Sequence, residues 1–359
     1  MIKVQASVSK GWLNKHGGFV FDKRYYFDPY YRMKQDEECH NYIKERFPDY
    51  PIYNMEDNLV QAEYVVPRMM TIGAIQPNMI IAAALGARFV FSPDRDSDIS
   101  DSPVREIKDV SELPPVEEIL QLPLIKTMEE QYLRACEEYP DCTIIPPFFW
   151  DISGRATIHG IFTTSFKLLG QDIFTRMMME PELVKSIHSW ITRVYIHIVR
   201  FFSKLAGMPV TSVHVGECSG TMLDKYSYTE FVTPYIGEIG RELGGIRLHS
   251  CGKADHIMSS ICEIENLRII DTGSNTSLFK IRQKMGEEFE INVFPPVDVL
   301  TGNSETEDIR QWLAKILKDN DGGNLKIGYH LEPEYNLLNC LYIHEELERS
   351  GLVKKERLY

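Results

Sequence analysis

No stretch of the 359-residue sequence is apolar for long enough to span a bilayer. Its first residues, MIKVQASVSKGW, lack the apolar run and small-residue cleavage site of an export signal. No basic stripe is present, and a formal net charge of −13 repels phosphate backbones and anionic lipid, so neither nucleic acid nor membrane is expected as a partner. No G-x-G-x-x-G follows an early strand and no G-x-x-x-x-G-K-[ST] occurs, which removes the usual nucleotide-binding folds. The seven cysteines are odd in number and show no small-scaffold spacing; reduced thiols in a cytoplasm fit them better than a disulfide framework. Internal repeats, low-complexity tracts and linkers are also missing, so one domain is expected.

What is present is the composition of a globular enzyme, 43% hydrophobic and 25% charged. The first sixty residues, dense in Tyr, Phe, Asp and Lys, read as an irregular extension with one helix around Met33 to Phe47. From about residue 60 a rhythm sets in of short β-branched or aromatic runs, polar turns and amphipathic helical stretches. Strands are predicted at AEYVVP near Tyr64, ARFVFS from Ala87, CTIIPPF from Cys142 and TSVHVGE from Thr211. Four more follow: GIRLHS from Gly245, LRIIDT from Leu267, FEINVFP from Phe289 and LKIGY from Leu325. Eight strands alternating with helices imply a parallel sheet covered by helices. An open doubly wound sheet would alternate as well; of the two, the expected fold is α/β closed as a (β/α)8 TIM barrel over 61–359, with residues 1–60 as an N-terminal irregular and helical extension of the same domain.

In such a barrel, polar residues at strand C-termini face the working mouth. The shortlist is Asp94, Asp96 and Asp98 in SPDRDSD, Trp150 and Asp151 in PPFFWD, and Glu217 and Cys218 in HVGECSG. It continues with His249, Cys251 and Lys253 in LHSCGK, Asp271, Asp298 in FPPVD, and Tyr329 and His330 in GYH. The three aspartates of the second loop read as a solvated charged loop, whereas Asp151, behind Phe148, Phe149 and Trp150, is placed as a partly desolvated acid or anchor.

His249-Ser250-Cys251 is the sharpest feature. Side chains two apart on an extended strand share a side, so imidazole and thiolate can converge on one ion, and nitrogen plus sulfur is a zinc donor set. A buried core cysteine beside a hydrogen-bonded histidine is the competing reading. A catalytic ion needs a third protein ligand; Glu217 and Cys218 end the neighbouring strand, and His330 would reach from the other side.

Several stretches together resemble the uroporphyrinogen-decarboxylase superfamily: PNMIIAAALGARFVFSPD, GIFTTSFKLLGQDIFTRMMMEPELV, YTEFVTPYIGEI, LHSCGK, FPPVDVL and GYHLEPEYNLLN, in that order over roughly residues 60 to 350. The Glu-Phe-x-x-Pro-Tyr run is the most specific piece. The arginine-rich N-terminal motif of the decarboxylase itself is missing. The resemblance is closer to the branch of zinc-dependent methyltransferases that work with corrinoid proteins, whose His-x-Cys is matched by His249 and Cys251. It implies zinc, a separate corrinoid-binding protein as partner, and a small-molecule methyl donor or a thiol acceptor as substrate. It also places Tyr329 where that branch carries its third zinc ligand, a distant cysteine. The candidate roles are therefore catalytic for Asp151 and Tyr329, substrate-binding for Asn78, Trp150 and Asp298, and metal-binding for His249, Cys251, Glu217, Cys218 and His330. The alternatives are a metal-free lyase holding a carboxylated substrate through Asp151, Asp298 and Tyr329, and a barrel that has lost catalysis and serves as a binding partner.

Overall fold

The computed structural model describes residues 2–53, 64–100, 102–301 and 305–353. Eight strands pair in parallel into one sheet: β1 (Ile2–Val8), β2 (Ile52–Tyr53), β3 (Arg155–His159), β4 (Ser212–Gly216), β5 (Gly245–Ser250), β6 (Leu267–Gly273), β7 (Glu290–Phe294) and β8 (Leu325–Leu331). Their spatial order is β2-β1-β8-β7-β6-β5-β4-β3, so the last strand lies beside the first. Each passes to the next through helical segments, and a (β/α)8 barrel results.

Strands β4 to β8 fall where the sequence rhythm places them. The first three do not. Residues 2–8, expected inside an irregular extension, form β1 and pair along their full length with β8, from Ile2 opposite Leu325 to Val8 opposite Leu331. Of the run near Tyr64, Ala62 and Glu63 lie outside the described residues and Tyr64–Pro67 is not a strand. The Ala87 run contributes only Phe89–Val90, antiparallel to Asp98–Ile99. The Cys142 run pairs as Thr143–Ile145 with Met69–Thr71 in a side ladder. β-propensity marks a residue as fit for a pleated, half-buried surface, and these segments found such surfaces outside the barrel.

The outer layer is dominated by the helix Pro181–Ala206, which starts on proline and stops at Gly207 with φ 62°, the left-handed turn that glycine adopts without strain. Its apolar stripe buries Val184, Ile187, Trp190, Ile191, Val194, Tyr195, Ile198 and Phe202 against the barrel. Truncating one of the large residues, Phe202→Ala for instance, costs about 3–5 kcal/mol through lost burial and the cavity left behind. No helix among the described residues is long and apolar enough to cross a membrane.

Candidate active site

The C-terminal ends of the strands open onto a cavity of about 800 Å³. Two neighbouring strands bring the metal-type donors to it. In the β4–β5 ladder Gly216 stands opposite His249, and Glu217 N–H donates to the His249 carbonyl at 2.8 Å. Cys218 and Cys251 each lie two residues beyond that pair. One donor atom from each of Cys218, His249 and Cys251 falls within 4.8 Å of the others. Cys218 and His249 line the cavity, while Cys251 stands exposed at its edge.

Electrostatics favour anionic sulfur here. The Cys218 thiol and the His249 imidazole beside it bring the Cys251 thiol down to about 4, against the burial that raises it. Cys218, hydrogen-bonded to Cys251 and half-buried, is pushed up and keeps its proton while both thiols share the space. Burial works against a charged His249, but Asp271 and Cys251 outweigh it and raise the imidazole to about 9. His249 Nδ1 lies 3.7 Å from the Asp271 carboxylate. That carboxylate is itself fixed: Arg247 Nε donates to both its oxygens at 3.0 and 2.8 Å, and the Asn292 amide donates to it from β7. Burial opposes the Asp271 charge, and the Arg247 guanidinium holds the carboxyl far below the usual range. A second buried pair lies in the same barrel interior, Arg155 with Asp151 at 3.0 Å.

Glu217 is spoken for. Its carboxylate accepts from Phe162 N–H at 3.0 Å, Thr163 N–H at 2.8 Å and the Thr163 hydroxyl at 2.6 Å, closing the N-terminus of the helix Ile161–Leu169 where unpaired amides and the helix dipole favour negative charge. Burial raises its pKa to about 7 in spite of those donors. The close approach requires Gly160, because a β-carbon there would sit 2.1 Å from Glu217 Oε2.

The remaining sequence candidates separate cleanly. His330 lines the cavity with Nδ1 2.6 Å from the Ser7 hydroxyl, but it is not part of the three-donor group. Trp150 and Asn78 also line the cavity. Asp151 does not: fully buried, it accepts from Arg155, from Ser153 N–H at 2.9 Å and from the Ser153 hydroxyl. Tyr329 points the other way, its hydroxyl donating to the Cys340 carbonyl at 2.8 Å and meeting His344 Nε2 at 2.9 Å in the C-terminal helix. Alternation along β8 sends Tyr329 outward and His330 inward. The third donor, the Cys218 thiol, is therefore not beside Tyr329 at the end of β8 but just past the end of β4. Asp298 is exposed on the short helix Val297–Leu300 and does not line the cavity.

Other lining residues escape a reading by motif. Ser9 and Lys10 arrive at the mouth because β1 is a barrel strand; Ser9 accepts from Trp12 N–H and starts the next helix. Lys10 is buried, its ammonium 2.5 Å from Asp96 and within 6 Å of the Phe21 and Tyr26 rings. Its charge lowers the Asp96 pKa against burial, so Asp96 is a tethered counter-ion and not a loose loop acid. His159 ends β3 and His214 sits within β4, and burial lowers both imidazoles, His159 to about 4. Alternation links His214 to Gly216 on β4 and stops there, because Cys218 opens the short 3-10 helix Cys218–Met222; what the sequence offers is only that Cys218 lies just past the end of a strand in TSVHVGECSG.

Trp150 reaches the cavity through an unusual turn. Phe148 holds φ 66°, a conformation costly for a bulky residue, and the chain bridges Phe149 to Ala156 directly after it. Phe148 is thereby packed against Tyr195 and Phe202, which leaves Trp150 for the cavity wall.

No curated protein matches the sequence. Among solved structures, a methyltransferase from Methanosarcina mazei aligns over 97% of this chain and 94% of its own, with a TM-score of 0.63 at 12% identity, a likeness of fold. A B12-independent methionine synthase from Shewanella sp. W3-18-1 aligns over 97% and 98% at 11% identity with a TM-score of 0.45. The family profile for uroporphyrinogen decarboxylase (URO-D) matches residues 77–334, well over half of the chain. With the barrel in place and its mouth lined as described, the chain belongs to the uroporphyrinogen decarboxylase (URO-D) family.

Proposed function

We propose that this protein is a methyltransferase of the family that holds a zinc ion on Cys218, His249 and Cys251 and moves a methyl group between a small molecule or thiol and a corrinoid carried by a partner protein. The convergence of two sulfurs and one imidazole within 4.8 Å at the barrel mouth carries the reading. Two thiolates and a neutral imidazole are a fitting donor set, and three protein ligands leave a coordination position for substrate. Bound zinc supplies Lewis acidity, lowering the pKa of a thiol or polarising an ether or alcohol oxygen.

The protein's own groups do the rest. Asp271, fixed by Arg247 and Asn292, orients His249: with Nδ1 toward the carboxylate, Nε2 is the nitrogen left for an ion. The Glu217 cap holds the turn that carries Cys218 against the helix Ile161–Leu169. The cavity admits a substrate and removes it from bulk water. Exposed apolar side chains, Met222, Tyr226, Phe279, Val297 and Leu338, sit on the segments that follow β4, β6, β7 and β8, at the end a corrinoid protein would cover. A cytoplasmic location suits reduced thiols at such a site. The metal-free lyase reading draws no support, since Asp151, Asp298 and Tyr329 do not line the cavity.

Metal analysis of anaerobically purified protein, together with transfer from a methylated corrinoid to thiols, tests the proposal. One zinc per chain is expected, lost in Cys218→Ser, His249→Ala and Cys251→Ser along with transfer. Metal-free protein that cannot be loaded, or variants that keep both zinc and transfer, would overturn it.

A further inference from the structure

Besides ring nitrogens of His159, His214 and His249, three buried polar atoms on the cavity wall have no hydrogen-bond partner among the described residues: the Trp150 indole Nε1, the Asn78 side-chain carbonyl Oδ1 and the Thr157 hydroxyl. Each residue is at most 4% exposed. Buried polar groups are almost always satisfied, so a cluster of unsatisfied ones facing a cavity marks where something else completes the hydrogen bonds. They belong to one wall. Thr157 lies on β3, Trp150 precedes that strand by a few residues, and the helix Pro77–Ala84, which begins with Asn78, packs against it.

Their chemistry is specific. Indole Nε1 only donates, an amide oxygen only accepts, and a hydroxyl does either. None of the three titrates near neutral pH. The charged residues elsewhere around the cavity, Lys15, Asp94, Arg95, Asp96, Glu332 and Glu334, are partly or fully exposed. The one buried cation of the lining, Lys10, is already paired with Asp96. The buried Arg32 guanidinium, 5.9 Å from the Trp150 ring centre, is engaged by the Ala74 carbonyl and Asp36, so a charged group pressed against the Trp150 wall would lose its hydration for no dedicated counter-charge.

Building on the reading of this cavity as the substrate site, we infer that the part of the substrate that meets this wall is uncharged and both donates and accepts a hydrogen bond: a primary amide, or failing that a hydroxyl. Trp150 gives its N–H to the substrate oxygen, Asn78 accepts a substrate hydrogen, and Thr157 serves the remaining position. A site built around such unpaired groups rejects analogues that leave them unmet.

The test uses four probes with one carbon skeleton, propionamide, propan-1-ol, propionate and propylammonium, titrated into the full chain by ligand-observed NMR, with and without zinc. Propionamide is expected to bind about 10-fold or more tighter than either ion, with propan-1-ol between. Trp150→Phe, which keeps the ring and drops the donor, and Asn78→Leu should each weaken propionamide about 10-fold, and Thr157→Val, of nearly equal shape, about 3-fold. Circular dichroism identifies any variant that fails to fold, and Trp150→Phe then decides. Tighter binding of propionate or propylammonium would overturn the inference. So would unchanged propionamide binding in Trp150→Phe, or no binding of any probe, which means water alone satisfies the wall. Because binding is read without methyl transfer, a zinc-free protein that keeps the preference contradicts only the proposed function; zinc-dependent transfer without the preference contradicts only this inference.

Discussion

The two halves of the barrel differ in construction and in duty. Strands β4 to β8 are each five to seven residues long, lie in unbroken chain order and pair with neighbours across the sheet. In the other half β2 has two residues, and about a hundred residues with two side ladders separate it from β3. The regular half supplies every member of the thiol–imidazole group and the Asp271–Arg247 support beneath it. The irregular half supplies Lys10, Asn78, Trp150, Thr157 and His159, the wall that a substrate meets. Reactive groups need sub-ångström positioning and sit on rigid ladders or just past their ends, as His249, Cys251 and Cys218 do; a recognition wall can be drawn from loops and short strands.

If that division holds, substitutions in the regular half should weaken metal binding and those in the irregular half should spare it. The largest effect is expected from Asp271→Asn. It leaves Arg247 buried beside a neutral amide and removes the carboxylate facing His249. About 3–5 kcal/mol of stability should go, and zinc affinity should fall about 10- to 100-fold, read by denaturant unfolding and by chelator competition. Gly160→Ala probes the seam between halves. Its methyl group collides with the Glu217 carboxylate, so a loss of about 1–3 kcal/mol is expected, with weaker zinc retention because the Cys218 turn shifts.

Acid sensitivity sharpens the comparison from outside the site. His188, on the long helix, gives its Nδ1 hydrogen to the Phe231 carbonyl at 2.7 Å, and burial lowers its pKa to about 4. The unfolded chain takes up that proton near pH 6.5 and the folded chain only near 4, so stability falls as pH drops through this window and is unaffected above it. His188→Gln should lose less on acidification, the gap from wild type reaching on the order of 3 kcal/mol by pH 4. A constant gap across pH 7 to 4 would contradict the neutral buried imidazole. The smallest effect belongs to Lys10→Met: zinc content unchanged, stability altered by about 1 kcal/mol because Asp96 is half exposed, and substrate binding weakened. A loss of zinc in Lys10→Met would break the proposed division.

The same contrast explains what could be read from the sequence. β4 to β8 are visible because each couples a β-branched run to a polar end; His249 with Cys251 follows from alternation, and Cys218 only from its place just past the neighbouring strand end. β1 also alternates, Ile2, Val4, Ala6 and Val8, but its partner β8 lies more than three hundred residues away, and nothing local distinguishes it from an extension. β3, RATIH, carries an arginine and a histidine whose burial depends on Asp151 and on the cavity, so hydropathy conceals it. The aspartates mislead for a related reason. Asp151 and Asp96 both follow aromatic runs, yet one neutralises Arg155 inside the barrel and the other tethers Lys10 at its mouth, a difference that tertiary pairing alone decides. Tyr329 shows the limit of alignment to a motif, since one residue of strand phase turns it from the cavity to the helix behind.

X-ray absorption at the zinc edge on anaerobic protein tests the central claim most directly. The account predicts two sulfur ligands at about 2.3 Å and one imidazole nitrogen at about 2.0–2.1 Å, with one sulfur lost in Cys218→Ser. A first shell with fewer than two sulfurs in the wild type, or one that Cys218→Ser leaves unchanged, would contradict it.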